Sequence, residues 1–234
     1  ILWRCRSIND HSLAINVGQR ALKVDSSHEN AIWIYQYLIF SYLDLKAVDQ
    51  ADAMLAAVIK KYETHPHLSC FLNDLAGYRR QVKYYPRSIE LHQTALVKNP
   101  TADQQLEAYA GIAKAAVQMQ GTAIDPNVPA SGIRDIDDPN TPASDTPDID
   151  EIVKRMMTDY KGKKCLGFHI FQIGEEYYFR AEKYRQSNQM SQAQTYYMKA
   201  LEVWMNNIEK IEDSHHRCLA YYFSGTSYRC MGQC

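Results

Sequence analysis

One short pattern recurs along the chain and restricts the folds that it can adopt. A small residue is followed four positions later by a bulkier one, and three positions after that by an Ala-Leu pair or its equivalent. The clearest copies are 88–96 in SIELHQTALVKNP and 193–201 in AQTYYMKALEV, and looser copies are 51–59 and 14–22. Intervals of four and three place these residues on one face of an α-helix. Small residues on that face let a neighbouring helix approach closely.

A second helical pattern alternates with the first. Its bulky first positions are Tyr35, Leu72, Leu106, Tyr177 and Tyr221, each followed at helical intervals by Leu, Ala, Gly or Tyr. The first three starts are 37 and 34 residues apart, and the last two are 44 residues apart. A pair of helices repeated at about this interval predicts a helical solenoid. The longer last interval predicts longer helices in that unit.

These alternating patterns resemble the tetratricopeptide repeat (TPR) family over most of the chain outside 121–150. SIELHQTALVKNP and AQTYYMKALEV are the best second helices, and SGTSYRCMG is the best first helix. The chain departs from the family pattern at His92, Val58 and Met205, where the family has a ring, an Ala and a Pro. The resemblance implies an all-α fold, a single domain over 1–234 in which helix pairs form a right-handed, TPR-like α-α superhelix. It also implies that the first helices line a concave face, where solenoid proteins bind their partners.

The repeat is interrupted at about 121–150 by GTAIDPNVPASGIRDIDDPNTPASDTPDID. This stretch contains five of the eight prolines, and seven Asp against one Arg give it a net charge of −6. Such a composition buries little apolar surface, so we expect an exposed loop. Its acidity leads to two hypotheses. The loop lies across a basic groove and competes with a ligand, or it extends the binding surface.

A helix is expected directly after this loop. Asp148 and Glu151 have the spacing of a capping box, and Ile152 and Met156 then recur on one side. We interpret this helix as the delayed second helix of the repeat that starts at Leu106. The loop is then an insertion within one repeat, and a linker between two domains is the alternative.

The overall composition excludes several classes of protein. Lys and Arg total 26 against 27 Asp and Glu, so no net field favours nucleic acid or an acidic membrane. No apolar run is long enough to span a bilayer. Six widely spaced cysteines favour reduced thiols over a disulfide framework, and we expect a cytoplasmic location. Because the chain starts without Met and stops within the repeat pattern, we interpret it as a fragment or a processed piece.

Patterns that carry chemistry are weak throughout. No Gly-rich phosphate loop and no Gly-x-Ser-x-Gly elbow occurs. Residues with zinc-ligand chemistry cluster near the end of the sequence, but packed apolar cysteines are the simpler interpretation. They are His215, His216, Cys218, Cys230 and Cys234. The acidic loop lacks the Gly and the late Glu of an EF-hand, and the pair Glu175 and Glu176 fits an exposed helix face. We therefore predict no enzyme activity, no cofactor and no metal.

The best functional signal is positional and follows from the resemblance. In the family, the residue after the last frame position and the residue after the bulky first position tend to face the groove. The first set is Leu43, Arg80, Lys114, Arg185 and Arg229, and the second set is Gln36, Asn73, Glu107, Tyr178 and Tyr222. Four of the first five are basic, which suits an acidic or carboxylate-bearing peptide. Ordinary exposed helix residues are the alternative interpretation.

From these sets we predict eight partner-binding residues: Gln36, Asn73, Arg80, Lys114, Tyr178, Arg185, Tyr222 and Arg229. The predicted function is a non-enzymatic scaffold that binds a partner protein or an acidic peptide in the concave groove. The residue set of the two-carboxylate clamp of chaperone-binding family members is missing, so a chaperone C-terminus is not the expected ligand. Two alternatives stay open. One is a regulatory, peptide-sensing domain of a larger signalling or transcription protein, and the other is a non-catalytic domain of a larger enzyme.

Overall fold

The computed structural model describes Arg4, residues 8–122 and residues 147–232 of the chain. These residues form ten α-helices and no strand, so the all-α prediction is confirmed for them. The helices are α1 (His11–Val24), α2 (Ala31–Asp44), α3 (Val48–Lys61), α4 (Leu68–Gln81), α5 (Tyr85–Leu96), α6 (Ala102–Thr122), α7 (Ile149–Asp159), α8 (Leu166–Gln186), α9 (Met190–Met205) and α10 (Ser214–Cys230). A short 3-10 helix, Ile208–Lys210, lies between α9 and α10.

The helices pack as pairs, and the pairs stack. α2 packs on α3, α4 on α5, α6 on α7, and α8 on α9. Each first helix also contacts the first helix of the next pair, from α2 through α4, α6 and α8 to α10. Helix α1 packs on α2 through a face that includes the buried Ala14 and Gly18, as a second helix of the predicted pattern does. The first helices therefore form a continuous row.

Three of the pairs turn in the same way. Lys46, Lys83 and Asn188 follow α2, α4 and α8 with φ angles of 59°, 68° and 57°. In each turn, the residue after the one with positive φ donates its N–H to the carbonyl five residues earlier. This is the Schellman arrangement, which satisfies the last carbonyls of a helix. The donor and acceptor residues are Ala47 and Tyr42, Tyr84 and Arg79, and Gln189 and Tyr184, at 2.8, 2.8 and 2.9 Å. This shared backbone geometry supports a structural repeat independently of the side chains.

Side-chain caps fix the starts of several helices. Asp10 Oδ1 accepts a hydrogen bond from the Leu13 N–H at 2.9 Å at the start of α1. Asp148 caps α7 in the same way, because its Oδ1 accepts from the N–H groups of Asp150 and Glu151 at 2.9 and 3.3 Å. The helix start predicted at Asp148 is therefore confirmed.

Helix α7 lies between α6 and α8 and buries Ile149, Val153 and Met156, and Tyr160 directly after the helix is also buried. It packs on α6, and its interpretation as the delayed second helix of that unit stays a prediction. The predicted acidic loop at about 121–150 lies mostly outside the described residues, since 123–146 are not among them. Both hypotheses about its role therefore stay predictions.

The longer last interval of the repeat has a simple cause. Helix α8 has 21 residues and α9 has 16, whereas α2 and α4 have 14 each. The 3-10 helix after α9 adds a further turn of chain. In the part of the chain that the structure describes, every helix is too short or too polar to cross a bilayer.

Two glycines of first helices allow close helix contacts. A Cβ atom at Gly111 of α6 would overlap the ring of His92 in α5. A Cβ atom at Gly174 of α8 would overlap the indole of Trp204 in α9. Each ring lies directly on the glycine backbone, so the ring and the glycine determine the distance between their helices.

Candidate functional site

Polar side chains from four first helices meet on one face, which we call the polar row. Its members lie at helical intervals of four or seven on α6, and three and four residues after the first member on α8. They are Gln36 of α2, Asp74 and Arg80 of α4, Glu107, Lys114 and Gln118 of α6, and Gln172, Glu175 and Glu176 of α8. Hydrogen bonds and the Arg80–Glu176 ion pair cross from helix to helix along this row.

The half of the polar row nearer the helix N-termini is acidic. Asp74 Oδ2 accepts a hydrogen bond from Gln36 Nε2 at 2.9 Å. Burial against neighbouring helices raises the pKa of Asp74, and burial followed by the charge of Asp74 raises the pKa of Glu107. Both side chains nevertheless remain exposed to solvent. The neighbouring helices thus displace part of the water around both carboxylates without covering them.

The other half contains both cations. Arg80 Nη1 lies 2.9 Å from Glu176 Oε1, and both side chains are 21% exposed. The second oxygen of Glu176 accepts from Gln118 Nε2 at 2.7 Å. Arg80 is thus paired with a carboxylate of α8 that also accepts a hydrogen bond from α6.

Lys114 has a different environment from Arg80. Its ammonium donates to the neutral amide oxygen of Gln172 at 3.0 Å. Burial, and after it the charge of Arg80, lowers the pKa of Lys114 to about 8. An ammonium group has three donors, and the Gln172 bond uses one. The described contacts of Lys114 therefore leave capacity for a ligand oxygen.

Asn73, a predicted groove residue, lies inside the structure. It is 2% exposed, its Nδ2 donates to the carbonyl of Gln104 at 2.9 Å, and its Oδ1 lies 3.0 Å from Nδ1 of His92. Burial lowers the pKa of His92 to about 3, so the imidazole is neutral. Since buried polar groups need partners, the amide joins α4, α5 and α6 instead of facing solvent.

Tyr178, also predicted to face the groove, is part of the core. Its ring is 8% exposed and lies 4.8 Å from Phe223, 5.7 Å from Tyr197 and 6.3 Å from Trp204, measured between centroids. The indole N–H of Trp204 donates to the carbonyl of Phe171 at 3.1 Å. This aromatic cluster holds α8, α9 and α10 together.

The other predicted residues divide between the polar row and its continuation. Gln36, Arg80 and Lys114 come together in the polar row. Arg185 of α8 is exposed and pairs with Glu182 of the same helix at 2.8 Å. On α10, Tyr222 is 64% exposed and Arg229 is exposed. These last three residues have no described contact with the polar row.

Sequence reasoning missed the carboxylates and amides that complete the row. The sequence pattern places Glu175 and Glu176 on an exposed helix face, and its pattern positions do not include Asp74, Gln118 and Gln172. A helical projection of α6 finds Gln118, because it lies four residues after Lys114 on the face that also holds Glu107. The predicted cations are therefore not a continuous positive surface, since two cations share the row with four carboxylates.

The described histidines and cysteines form no metal centre. Among the described residues, no group of three His, Cys, Asp or Glu side chains has the arrangement of a metal site. His216 Nδ1 lies 2.9 Å from Asp213 Oδ1, and Cys218 and Cys230 are free thiols. Cys234 lies outside the described residues.

Comparison with known proteins does not assign a family. No protein-family model matches the chain, and no curated protein matches it significantly. The functional argument therefore depends on the geometry of the polar row.

Proposed function

We propose that this chain is a non-catalytic protein-interaction module whose polar row binds an extended segment of a partner protein. One observation carries the proposal. Charged side chains of three consecutive first helices converge at solvent, are partly desolvated, and keep hydrogen-bonding capacity beyond their mutual contacts. Such groups lose less solvation when a ligand covers them, and they gain its hydrogen bonds.

The dimensions of the polar row favour a peptide over a small molecule. Three first helices at the usual spacing of 8–10 Å extend over about 20 Å. The charged positions along α6 extend over about 10 Å, at 1.5 Å per residue. An open surface of this size suits a chain segment, whereas small ligands are bound in enclosed pockets.

We also infer that the stacked pairs form a right-handed, TPR-like superhelix with the first helices on its concave side. The recurring Schellman turns and the contacts between successive first helices support this inference. A scaffold role for the module and the cytoplasmic location expected from the cysteines belong to the same proposal.

The charges of the polar row change the net charge that we expect of the ligand. An acidic peptide was predicted from the basic positions alone. Arg80 is already paired with Glu176, and Asp74 and Glu107 form no ion pair within the described residues. We therefore propose a ligand that is not uniformly acidic.

A random-peptide display selection on the immobilised chain tests the proposal. We expect enriched peptides to bind the wild-type chain and to bind Lys114→Glu at least about tenfold more weakly. The matched control is Lys60→Glu, because Lys60 is an exposed lysine on the second helix α3. A selection in which no enriched peptide distinguishes Lys114→Glu from the control would refute the polar row as a binding site.

A further inference from the structure

We propose that the segment bound by the polar row has one basic and one acidic side chain three residues apart. Its basic group lies between Asp74 and Glu107, and its acidic group binds Lys114. This inference rests on the proposed function and adds the chemical class of the ligand.

The acidic half of the row needs a cation from outside. Asp74 and Glu107 are on the successive first helices α4 and α6, and the charge of Asp74 raises the pKa of Glu107. Within the described residues, their hydrogen-bond partners are amides, Gln36 for Asp74 and Asn73 for Glu107. The charge of Lys114 lowers the pKa of Glu107 only in part, because that pKa remains raised. An ammonium or guanidinium group between the two carboxylates would neutralise both, with charge-assisted hydrogen bonds.

The cationic half accepts an anion at one position. Arg80 already has a carboxylate partner at 2.9 Å, so a second anion gains little there. Lys114 donates to a neutral amide, and burial disfavours its charged form. The nearby carboxylates Glu176, Glu107 and Glu175 favour that form but do not offset the burial, because the pKa of Lys114 remains lowered. A ligand carboxylate would restore the solvation that the ammonium lacks.

Uniform charge in the ligand would be penalised at one end or the other. A second acidic group on the ligand would approach Asp74 and Glu107, and a second basic group would approach Lys114. Like charges brought together at an interface oppose binding and select against wrong partners. The mixed row therefore prefers a ligand with both charges.

The spacing follows from helix geometry. Glu107 and Lys114 are seven residues apart on α6, which corresponds to about 10 Å along the helix axis. A polyproline II segment rises about 3.1 Å per residue with three residues per turn, so positions i and i+3 share a face about 9 Å apart. A β-strand would point those two side chains to opposite faces. A polyproline II segment therefore fits this distance with its two charged side chains three residues apart.

Capped, fluorescein-labelled, proline-rich peptides test this inference on the full chain by fluorescence anisotropy. One peptide has Lys and Glu separated by two prolines, and a second has the reverse order. A third places Lys and Glu side by side, and a fourth has two Glu residues at the original spacing. We expect one order of the spaced Lys–Glu pair to bind about tenfold or more tightly than the adjacent and all-acidic peptides.

Variants of the chain identify which group binds which charge. The exchanged variant Glu107→Lys with Lys114→Glu is expected to prefer the opposite peptide order. The control variant Glu29→Gln with Lys60→Gln, both exposed outside the first helices, is expected to keep the wild-type preference. A retained preference in the exchanged variant, or equal binding of adjacent and spaced peptides, would overturn the inference.

The two proposals can fail separately. Suppose that display peptides depend on Lys114 but carry no basic and acidic residues at this spacing. The charge-pair inference then fails and the peptide-binding function stands. If no peptide depends on the polar row, both fail.

Discussion

Two equivalent positions of the repeat hold hydrogen-bonded polar side chains in one unit and aromatic side chains in another. In the α4–α5 unit, Asn73 and His92 occupy the inner positions and form a hydrogen bond of 3.0 Å. In the α8–α9 unit, the same two pattern positions hold Tyr178 and Tyr197, whose ring centroids are 5.7 Å apart. Both sets are buried. The fold thus requires contact at this point but not one kind of contact.

The two buried pairs contact different neighbours: Asn73 and His92 lie next to the polar row, and Tyr178 and Tyr197 lie next to α10. Asn73 also donates a hydrogen bond to the carbonyl of Gln104 in α6, next to the charged groups of the polar row. The tyrosines instead pack with Trp204 and Phe223 into an apolar cluster under α10. The polar junction lies beneath the proposed binding site, and the aromatic junction provides packing at the other end. Four predictions test this contrast.

The largest expected effect is in the aromatic junction. Trp204→Ala removes a fully buried indole that contacts Phe171, Tyr178 and Phe223, and should lower the free energy of unfolding by about 3–5 kcal/mol. Urea unfolding followed by circular dichroism measures the loss. The control Met205→Ala changes an exposed neighbour and should stay within about 0.5 kcal/mol. A loss no larger than that of the control would mean that this cluster does not hold α8, α9 and α10 together.

The second effect is specific to the polar junction and depends on pH. Burial lowers the pKa of His92 from 6.5 to about 3, so the unfolded chain binds the proton more readily. The stability contribution of neutral His92 is complete above pH 6.5 and is lost as the pH falls from 6.5 towards 3. By pH 4.5 the loss amounts to about 3 kcal/mol relative to neutral pH.

Comparison with His92→Gln isolates this contribution. The raised pKa values of Asp74 and Glu107 act in the opposite direction, because protonating those carboxyls relieves their desolvation. Both chains contain these carboxyls, so their effect cancels when the two free energies of unfolding are subtracted. The stability advantage of wild type over His92→Gln should shrink or reverse from pH 7 to pH 4.5, because only wild type loses the contribution of neutral His92. Parallel stability curves for the two chains would show that His92 is not the titrating group.

The third effect compares two glycines of neighbouring first helices. Gly111→Ala adds a methyl group where the His92 ring lies, and should destabilise the fold by about 1–3 kcal/mol. Gly77→Ala, on α4, meets no atom within 4 Å and should stabilise it by about 0.4–1 kcal/mol. Thermal unfolding of both variants gives the two signs. Equal signs would contradict the close approach of α5 to α6.

The smallest expected effect is the Arg80–Glu176 ion pair. Because both side chains are partly solvated, a double-mutant cycle with Arg80→Gln and Glu176→Gln should give a coupling energy of about 0.2–1 kcal/mol. Urea unfolding of the four chains provides the cycle. A coupling above about 2 kcal/mol would mean that the polar row stabilises the fold itself and would weaken its assignment to binding.

The sequence predicts the helices more completely than it predicts the residues of the candidate site. Alternating patterns predicted the helix pairs, because small and bulky residues at intervals of three and four have one good packing solution. They also identified Ser88, His92 and Ala95 as packed residues of a second helix, and all three are buried. The cap at Asp148 followed from local chemistry.

The candidate site was predicted only in part for a physical reason. Positions beside a packing face lie at its border, and a small rotation of the helix turns them inwards or outwards. Asn73 turns inwards because the buried imidazole of His92 needs a partner, and Tyr178 does so because three aromatic rings surround it. Arg80 and Lys114 stay at the surface because their charges need solvent or partners. The carboxylates were missed because charge was counted at single pattern positions and not over whole helix faces.

The most direct test of the account is the location of a bound peptide. A display-selected peptide with a photoreactive benzophenone residue can be crosslinked to the full chain, and the labelled residues identified by mass spectrometry. We expect labels on α4, α6 and α8 around Asp74, Glu107 and Lys114, lost when unlabelled peptide competes. Competable labels confined to the second helices α3, α5, α7 and α9, or to α10, would contradict the assignment of binding to the polar row.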